Sequence, residues 1–188
     1  TNDMNAEKAA FAQKTDLRFL DEVIENADMF LGLSGSNILT SSMIKKMSAK
    51  PIIFALANPS PEVMPDIAHK AASDAIIATG RSDFPNQVNN VLCFPFIFRG
   101  ALDVEATEIN DEMQLACIDA IAEIARKTTS AEAAAAYQGE ALTFGPEYLI
   151  PKPFDPRLSV VVSSAVAQAA MRSGVAKKPI ADLENYKD

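Results

Sequence analysis

The sequence is poor in the residues from which disulfide-linked and membrane-spanning folds are built. Its two cysteines, Cys93 and Cys117, both lie in apolar stretches. Two cysteines cannot form the disulfide framework of a small secreted domain, so reduced thiols in a core are the better interpretation, and they point to the cytoplasm. No secretory signal is visible, and no apolar run reaches the ~18 residues that a membrane-spanning helix needs.

Residues that usually mark metal, phosphate and nucleic-acid sites are also scarce. The chain has seven glycines, but none of them forms a G-x-G-x-x-G loop, and no P-loop is present. The single histidine, His69, is interpreted as a surface residue of a short helix, and no metal constellation stands out. With 25 acidic and 17 basic residues and a formal charge of −8, the chain is not expected to bind nucleic acid or anionic membranes.

What is present is an α/β pattern in the first half of a 188-residue chain. Short apolar runs at 29–33, 52–57 and 75–78 predict three buried strands. Helical patterns over 39–49 and 61–71 separate these strands, and a further helical pattern covers 4–27. Because crossovers of this length join parallel strands, we predict a partial, Rossmann-like doubly wound parallel sheet whose first strands and Gly-rich loop are missing.

The second half reads as helices that follow this sheet. Helices are predicted over 90–104, where Pro95 delays the start, over 110–127 with Asn110 as its cap, and over 158–173 with Gly174 beyond its end. An Ala-rich helix starts at Thr129 or Ser130, a proline-rich connector spans 143–157, and a peripheral polar tail begins at Lys177. We therefore divide the chain into a partial dinucleotide-binding α/β domain (1–105) and a C-terminal helical segment (106–188) that packs on it.

Polar turns follow all three predicted strands, at Ser34-Gly35, at Asn58-Pro59 and at 80–82. The carboxyl ends of parallel strands meet at one edge of a sheet, which is where open α/β sheets bind ligands. Three asparagines and one glutamine then fall within residues 86–90. Their amides suit a carboxylate, a hydroxyl or a nicotinamide amide, but they could equally cap the following helix and satisfy their own turn. Both interpretations remain open.

The residues that follow these strands resemble those of malic enzymes. The most specific block is Asn86 to Pro95, with the sequence NQVNNVLCFP, together with the upstream Asn58-Pro59 turn. Similar blocks occur in the same order at 30–35, 51–59, 78–82, 99–104 and 144–151. The chain resembles the C-terminal part of the cofactor-binding domain of malic enzymes, in their large bacterial, NADP-type form.

The resemblance implies oxidation of malate with NADP or NAD and Mg²⁺ or Mn²⁺, followed by decarboxylation to pyruvate and CO2. By position, it implies that Ser34, Gly35 and Asn58 contact the cofactor and that Asn58, Asn89 and Asn90 contact malate. The general acid, the general base and the metal ligands of the family lie upstream, so no catalytic or metal-binding residue is assigned here. The isolated chain is accordingly expected to be inactive. Ser36 stands where many relatives have proline, which alters the expected shape of that loop.

The resemblance also bears on the ends of the chain and its partners. The chain starts at Thr1, so we expect a processed or truncated product, and residues 178–186 look like the end of the malic portion, which a phosphotransacetylase-like domain often follows. A homo-oligomer is expected, and so is a sheet edge that missing neighbours would cover. Two alternatives remain: a non-catalytic domain that binds a nucleotide or a partner, and the cofactor domain of an amino-acid dehydrogenase.

Overall fold

Three short parallel strands organise the first half of the protein. The computed structural model describes residues 4–128, 134 and 142–187. In it, β1 (Met29–Gly32), β2 (Ile52–Ala55) and β3 (Ile76–Thr79) form one sheet in the order β1-β2-β3. Each of the three predicted strands is confirmed, as is the α/β fold class. Since all strands run in the same direction, their carboxyl ends lie along one edge of the sheet.

The crossover helices of the sheet are shorter than the sequence patterns predict. Helix α3 is Ser41–Ile44 and helix α4 is Pro65–Ala71. Thr40 caps α3 as expected, because its side chain accepts a hydrogen bond from the Met43 amide. The predictions of 39–49 and 61–71 were too long: residues after α3 continue as tight turns, and α4 starts at Pro65, whose missing N–H costs nothing at a first helical position.

The predicted helix over 4–27 is wrong. Only α1 (Ala6–Ala10) and α2 (Leu20–Val23) form there, and the intervening apolar side chains stay exposed, Phe11 by 87% and Phe19 by 70%. Only the end of this segment reaches the core, where Ile24 is buried in the cluster under the sheet and Leu20 packs against it. The start of α2 is held instead by Glu22, whose carboxylate accepts hydrogen bonds from the Arg18 and Phe19 amides, and these bonds lower its pKa.

The second half packs around one central helix. A 3₁₀ turn (Asn90–Leu92) leads into α5 (Phe94–Asp103), and α6 (Asp111–Arg126) follows. Next come α7 (Arg157–Arg172), which packs against both α5 and α6, and α8 (Leu183–Lys187). The delay at Pro95, the cap at Asn110 and the end of α7 before Gly174, which has a φ of 77°, are all confirmed. The connector before α7 has neither helix nor strand in its described part, while the predicted Ala-rich helix falls almost entirely outside the described residues.

Two hydrophobic clusters form the core. One lies under the sheet and includes Ile53 and Ile77, while the other joins α5, α6 and α7. Cys117 belongs to the helical cluster with 1% of its surface exposed, and Cys93 is half-buried; both are free thiols, as predicted. Burial raises the pKa of the Cys117 thiol to about 12. The division of the chain at residue 105 stays a prediction.

The tail lies at the surface, as predicted, and one of its side chains is bonded to the helical half. The hydroxyl of Tyr186 in α8 donates a 2.6 Å hydrogen bond to Oδ2 of Asp103 at the end of α5, and Arg99 also pairs with this carboxylate. Burial raises the pKa of Tyr186 to about 12. No helix in the described part of the chain is both long and apolar enough to cross a membrane.

Substituting Gly100 tests the close contact between α5 and α7. A Cβ at this position would lie 2.5 Å from the Ser163 carbonyl oxygen and 2.8 Å from Val166 Cβ, so the two helices must separate. After allowing for the better helix propensity of alanine, we expect Gly100→Ala to lower the free energy of unfolding by roughly 1–2 kcal/mol in a urea titration.

Gly145→Ala is the control, because among the described residues the only heavy atom within 4 Å of its added Cβ is the Thr143 carbonyl oxygen at 3.9 Å. We expect this variant to stay within about 0.5 kcal/mol of the parent chain. Equal effects of the two substitutions would contradict the packing described for α5 and α7.

Candidate functional site

The polar turns that follow the three strands meet, as the strand directions predict. We call these turns, residues 33–37, 56–60 and 80–83, the strand-end rim. Asn58 follows β2, and its side chain lies against Gly80, which follows β3: a Cβ on Gly80 would be 3.1 Å from both Nδ2 and Oδ1 of Asn58. The turns after β2 and β3 are therefore in direct contact, and Gly80 leaves the space that the Asn58 carboxamide occupies.

A buried carboxylate connects the turns after β1 and β2. Oε1 of Glu62 accepts a 3.1 Å hydrogen bond from the Ser34 amide, and Oε2 accepts one of 3.1 Å from the Ala57 amide. Glu62 has no exposed surface. It fits because Gly32, the last residue of β1, has no side chain: a Cβ there would lie 2.4 Å from Cδ of Glu62. One side chain thus holds the ends of two neighbouring strands.

Glu62 was not among the site residues predicted from the sequence, in which it is one of 25 acidic residues. A local signal existed: Glu62 sits between Pro61 and the apolar Val63, directly after the turn that ends β2. A carboxylate flanked by buried residues needs hydrogen-bond partners, and the unpaired amides at strand ends are the nearest donors. The sequence does not reveal which amides these are, since Ser34 lies 28 residues away.

Within the Asn-rich segment, Asn86 is a structural residue. It is buried, with a φ of 55°, and its Nδ2 donates to the carbonyl oxygens of Ile77 (2.9 Å) and Pro146 (2.6 Å). Its Oδ1 accepts a 2.7 Å hydrogen bond from the Leu149 amide. Asn86 therefore joins the proline-rich connector to β3. This long-range structural role is neither of the two predicted interpretations, the local cap and the ligand contact.

Asn89 and Asn90 differ from Asn86 and from each other. Oδ1 of Asn89 accepts a 3.0 Å hydrogen bond from the Val91 amide and so caps the 3₁₀ turn. The Asn90 side chain is exposed and makes no hydrogen bond with the part of the chain that the structure describes. The same is true of the exposed Asn58 carboxamide. Two of the predicted site residues, Asn58 and Asn90, thus present amide groups that remain available for a ligand.

The two charged residues of the rim, Arg81 and Asp83, are paired with each other. The Arg81 guanidinium donates to Asp83 through Nε (2.8 Å) and Nη2 (2.7 Å), which lowers the pKa of that carboxyl, and it lies 5.7 Å from the centre of the Phe84 ring. The described residues contain no group of three His, Cys, Asp or Glu side chains that could hold a metal ion. The rim therefore offers neutral amides and backbone groups in preference to ionic ligands.

A cavity of about 550 Å³ lies on the other side of the 82–87 segment, between that segment and the connector. Its lining includes Ser82, Asn86, Tyr148 and Phe154, but none of the residues predicted to contact cofactor or malate. We therefore place the candidate site at the open strand-end rim and not in this cavity. The exposed amides support that choice: Asn58 lies in the rim, and Asn90 lies at the start of the 3₁₀ turn that follows it in the chain.

Comparison with known proteins gives a consistent family. The model of the family described as "Malic enzyme, NAD binding domain" matches residues 2–137. The chain is 62% identical over 182 residues to the NADP-dependent malic enzyme of Escherichia coli, with 96% of this chain and 24% of that protein covered. It is 56% identical over 185 residues to the NAD-dependent malic enzyme of Rhizobium meliloti, with 98% of this chain and 24% of that protein covered.

The solved structures agree with the sequence relatives. The crystal structure of Entamoeba histolytica malic enzyme superposes with a TM-score of 0.79 at 34% identity, covering 96% of this chain and 35% of that one. The parallel sheet with its strand-end rim is thus a dinucleotide-binding type of α/β fold. The chain belongs to the malic enzyme family, in its NAD-binding domain. It spans about a quarter of the length of the curated relatives it matches.

Substitution of Asn86 separates its structural role from that of its neighbours. Asn86→Ala leaves two carbonyl oxygens and one amide without their partner and puts alanine at a positive φ, so we expect a loss of about 2–4 kcal/mol in the free energy of unfolding. Glycine tolerates the positive φ but does not replace the hydrogen bonds. Asn86→Gly should therefore lower the free energy of unfolding by about 1 kcal/mol less than Asn86→Ala does.

Asn90→Ala serves as the control for this series, because its exposed side chain has no partner in the described part of the chain. Urea unfolding should place it within about 0.5 kcal/mol of the parent. If Asn86→Ala were as well tolerated as Asn90→Ala, the role assigned to Asn86 would be incorrect.

Proposed function

We propose that this chain is the cofactor- and substrate-facing segment of an NAD(P)-dependent malic enzyme, whose full-length protein oxidises malate and decarboxylates the product to pyruvate and CO2. One observation carries the proposal beyond family membership. The amides of Asn58 and Asn90 are exposed at or beside the strand-end rim and are unpaired within the described residues. A soluble ligand with carboxylate and carboxamide groups is the natural partner of such amides.

The proposed roles follow from the position of each residue. Asn58 lies in contact with Gly80 at the centre of the rim, where it can reach both the nicotinamide and malate. Gly35 has open space around its Cα, so nothing prevents a cofactor from passing close to its backbone. The Ser34 amide is already bound to Glu62, which leaves the exposed serine hydroxyl for the cofactor.

Malate would be oriented by the asparagines at the start of the 3₁₀ turn. Asn90 can donate from its amide nitrogen to a malate carboxylate, and Asn89 can add a second donor because its cap uses only Oδ1. Neutral donors fix the orientation of an anionic substrate without adding a group that titrates near neutral pH. Holding malate in one orientation against the nicotinamide is the contribution of this chain to hydride transfer.

The bond chemistry requires groups that this chain does not provide. When bound, the nicotinamide accepts the hydride, and Mg²⁺ or Mn²⁺ polarises the oxygen of the substrate. We propose that the metal ligands and the general acid and base come from elsewhere in the full-length enzyme, since the described residues contain no metal-binding cluster. NADP and NAD both remain candidates, as relatives are named for each.

The sheet edge supports a larger assembly. Within the described residues β1 pairs only with β2, and three apolar side chains on or beside it are exposed: Met29 by 46%, Leu31 by 55% and Leu33 by 73%. Apolar surface beside an open strand edge is normally covered. We propose that the rest of the malic enzyme covers this surface. For the full-length protein we also expect a homo-oligomer, an additional phosphotransacetylase-like domain and a cytoplasmic location.

Steady-state kinetics of the full-length enzyme test the assignment of Asn90. Loss of a hydrogen bond to a charged group reduces binding about 10- to 100-fold, so Asn90→Ala should raise the KM for malate by at least about tenfold. The KM for the dinucleotide should change little, whereas Asn58→Ala should raise both. The assay follows reduction of NAD or NADP with malate and Mn²⁺.

Asn185→Ala is a suitable control, since Asn185 is an exposed asparagine in α8 outside the strand-end rim. It should leave both KM values unchanged. The proposal fails if full-length wild-type protein reduces neither dinucleotide in the presence of malate. The role of Asn90 fails if wild-type protein is active and Asn90→Ala has the same KM for malate.

A further inference from the structure

The segment that contains Glu62 is bound to two parts of the rim at once. Besides the two hydrogen bonds to its carboxylate, the carbonyl oxygen of Pro61 accepts from the Asn37 amide (3.1 Å), and that of Glu62 accepts from the Leu39 amide (3.1 Å). Three of these four bonds reach the loop after β1, and the fourth reaches the end of β2. Residues 61–62 therefore act as a bridge between the loop that carries Ser34 and Gly35 and the turn that carries Asn58.

The carboxylate is the part of this bridge that a single side chain controls. One of its oxygens binds the loop after β1 and the other binds the turn after β2, so the carboxylate bridges the Ser34 and Ala57 amides. This bridge lies just beyond the last hydrogen bond between the two strands, which joins the Leu56 amide to the Gly32 carbonyl oxygen (3.1 Å). Ala57 immediately precedes Asn58, and Asn58 in turn lies against Gly80. Glu62 is thus connected, through the Ala57 backbone amide and one peptide bond, to Asn58, whose side-chain carboxamide is proposed to contact the ligand.

The surroundings of Glu62 exclude other roles for its carboxylate. It has no exposed surface, so it has no access to a substrate, and each of its oxygens accepts one backbone amide. The fit against Gly32 is also close, since a Cβ there would overlap with Cγ, Cδ and Oε1 of Glu62. The Glu62 carboxylate is therefore held in place by its two hydrogen bonds and by its close fit against Gly32.

We propose that Glu62 is a positioning residue for the dinucleotide: its carboxylate sets the spacing between the Ser34-Gly35 loop and the Asn58 turn, and thereby the affinity for the cofactor. This inference rests on the proposed function, because it assumes that the strand-end rim binds the dinucleotide. Glutamine in place of Glu62 preserves the shape but replaces one acceptor oxygen with an NH2 donor. The glutamine NH2 group then faces the backbone N–H of either Ser34 or Ala57. Because two donors cannot bond to each other, we expect the turn that carries that N–H to move away from residue 62.

The experiment compares full-length wild-type enzyme with Glu62→Gln and Glu62→Asp. We expect Glu62→Gln to raise the KM for the dinucleotide about tenfold, while kcat at saturating cofactor stays within about threefold. Glu62→Asp keeps the carboxylate on a shorter side chain and should fall between wild type and Glu62→Gln. Direct titration with NADPH and with NADH, followed by cofactor fluorescence, should show the same order of dissociation constants.

Asp155→Asn provides the matched control for loss of a buried carboxylate. Asp155 has 5% of its surface exposed and binds Arg157 at the start of α7, and it is not one of the rim residues. A role in stability alone would lower the amount of active enzyme and leave the KM for the dinucleotide unchanged, which is the result expected for Asp155→Asn. A shift in KM restricted to the Glu62 variants would support the positioning role.

Three results would overturn the proposal. If wild-type enzyme binds neither dinucleotide, the proposed function fails and this inference fails with it. If wild-type enzyme binds a dinucleotide and Glu62→Gln binds it equally well, only the inference fails. If neither Glu62 variant folds while Asp155→Asn does, Glu62 supports the whole domain and does not act on the spacing of two turns.

Discussion

The parallel pairing of β1, β2 and β3 is the constraint on which the rest of the candidate site depends. The register places Gly32, Ala55 and Thr79 side by side, so the three turns that follow start at the same edge. An antiparallel strand among them would send its turn to the opposite edge and separate the asparagines. Every contact at the rim, from Ser34 to Gly80, is possible because the strands end together.

Strand ends leave backbone amides without partners, and this protein satisfies them with buried polar side chains. Glu62 does so for the turns after β1 and β2, and Asn86 joins the end of β3 to the connector. Each of these side chains is buried, and each of its polar atoms makes at least one hydrogen bond, which is what an irregular backbone requires when it is removed from water. The exposed amides of Asn58 and Asn90 are therefore carried by turns whose own hydrogen bonds are made elsewhere.

Features that depend on residues close together in the chain could be predicted from the sequence. Short apolar runs located the strands, and local signals located the Asn110 cap, the delay at Pro95 and the end of α7 at Gly174. Prediction from the sequence failed where tertiary contacts decide. Most of the apolar side chains in residues 4–19 are not covered by a core, Glu62 binds an amide 28 residues away, and Tyr186 in the polar tail bonds to Asp103. The sequence did not predict which asparagine of the Asn-rich segment is structural, because Asn86 differs from Asn90 in its burial and its long-range hydrogen bonds.

Hydrogen–deuterium exchange of the full-length enzyme, measured by mass spectrometry with and without dinucleotide and malate, tests the central claim most directly. The account predicts that ligands slow exchange in peptides covering residues 33–37, 56–62 and 79–92, because these turns and the start of the 3₁₀ turn would contact the ligands. Peptides from α6 and from α8 should be unaffected. Protection confined to those helices, or no protection in this chain while the enzyme is saturated and active, would contradict the placement of the site at the strand-end rim.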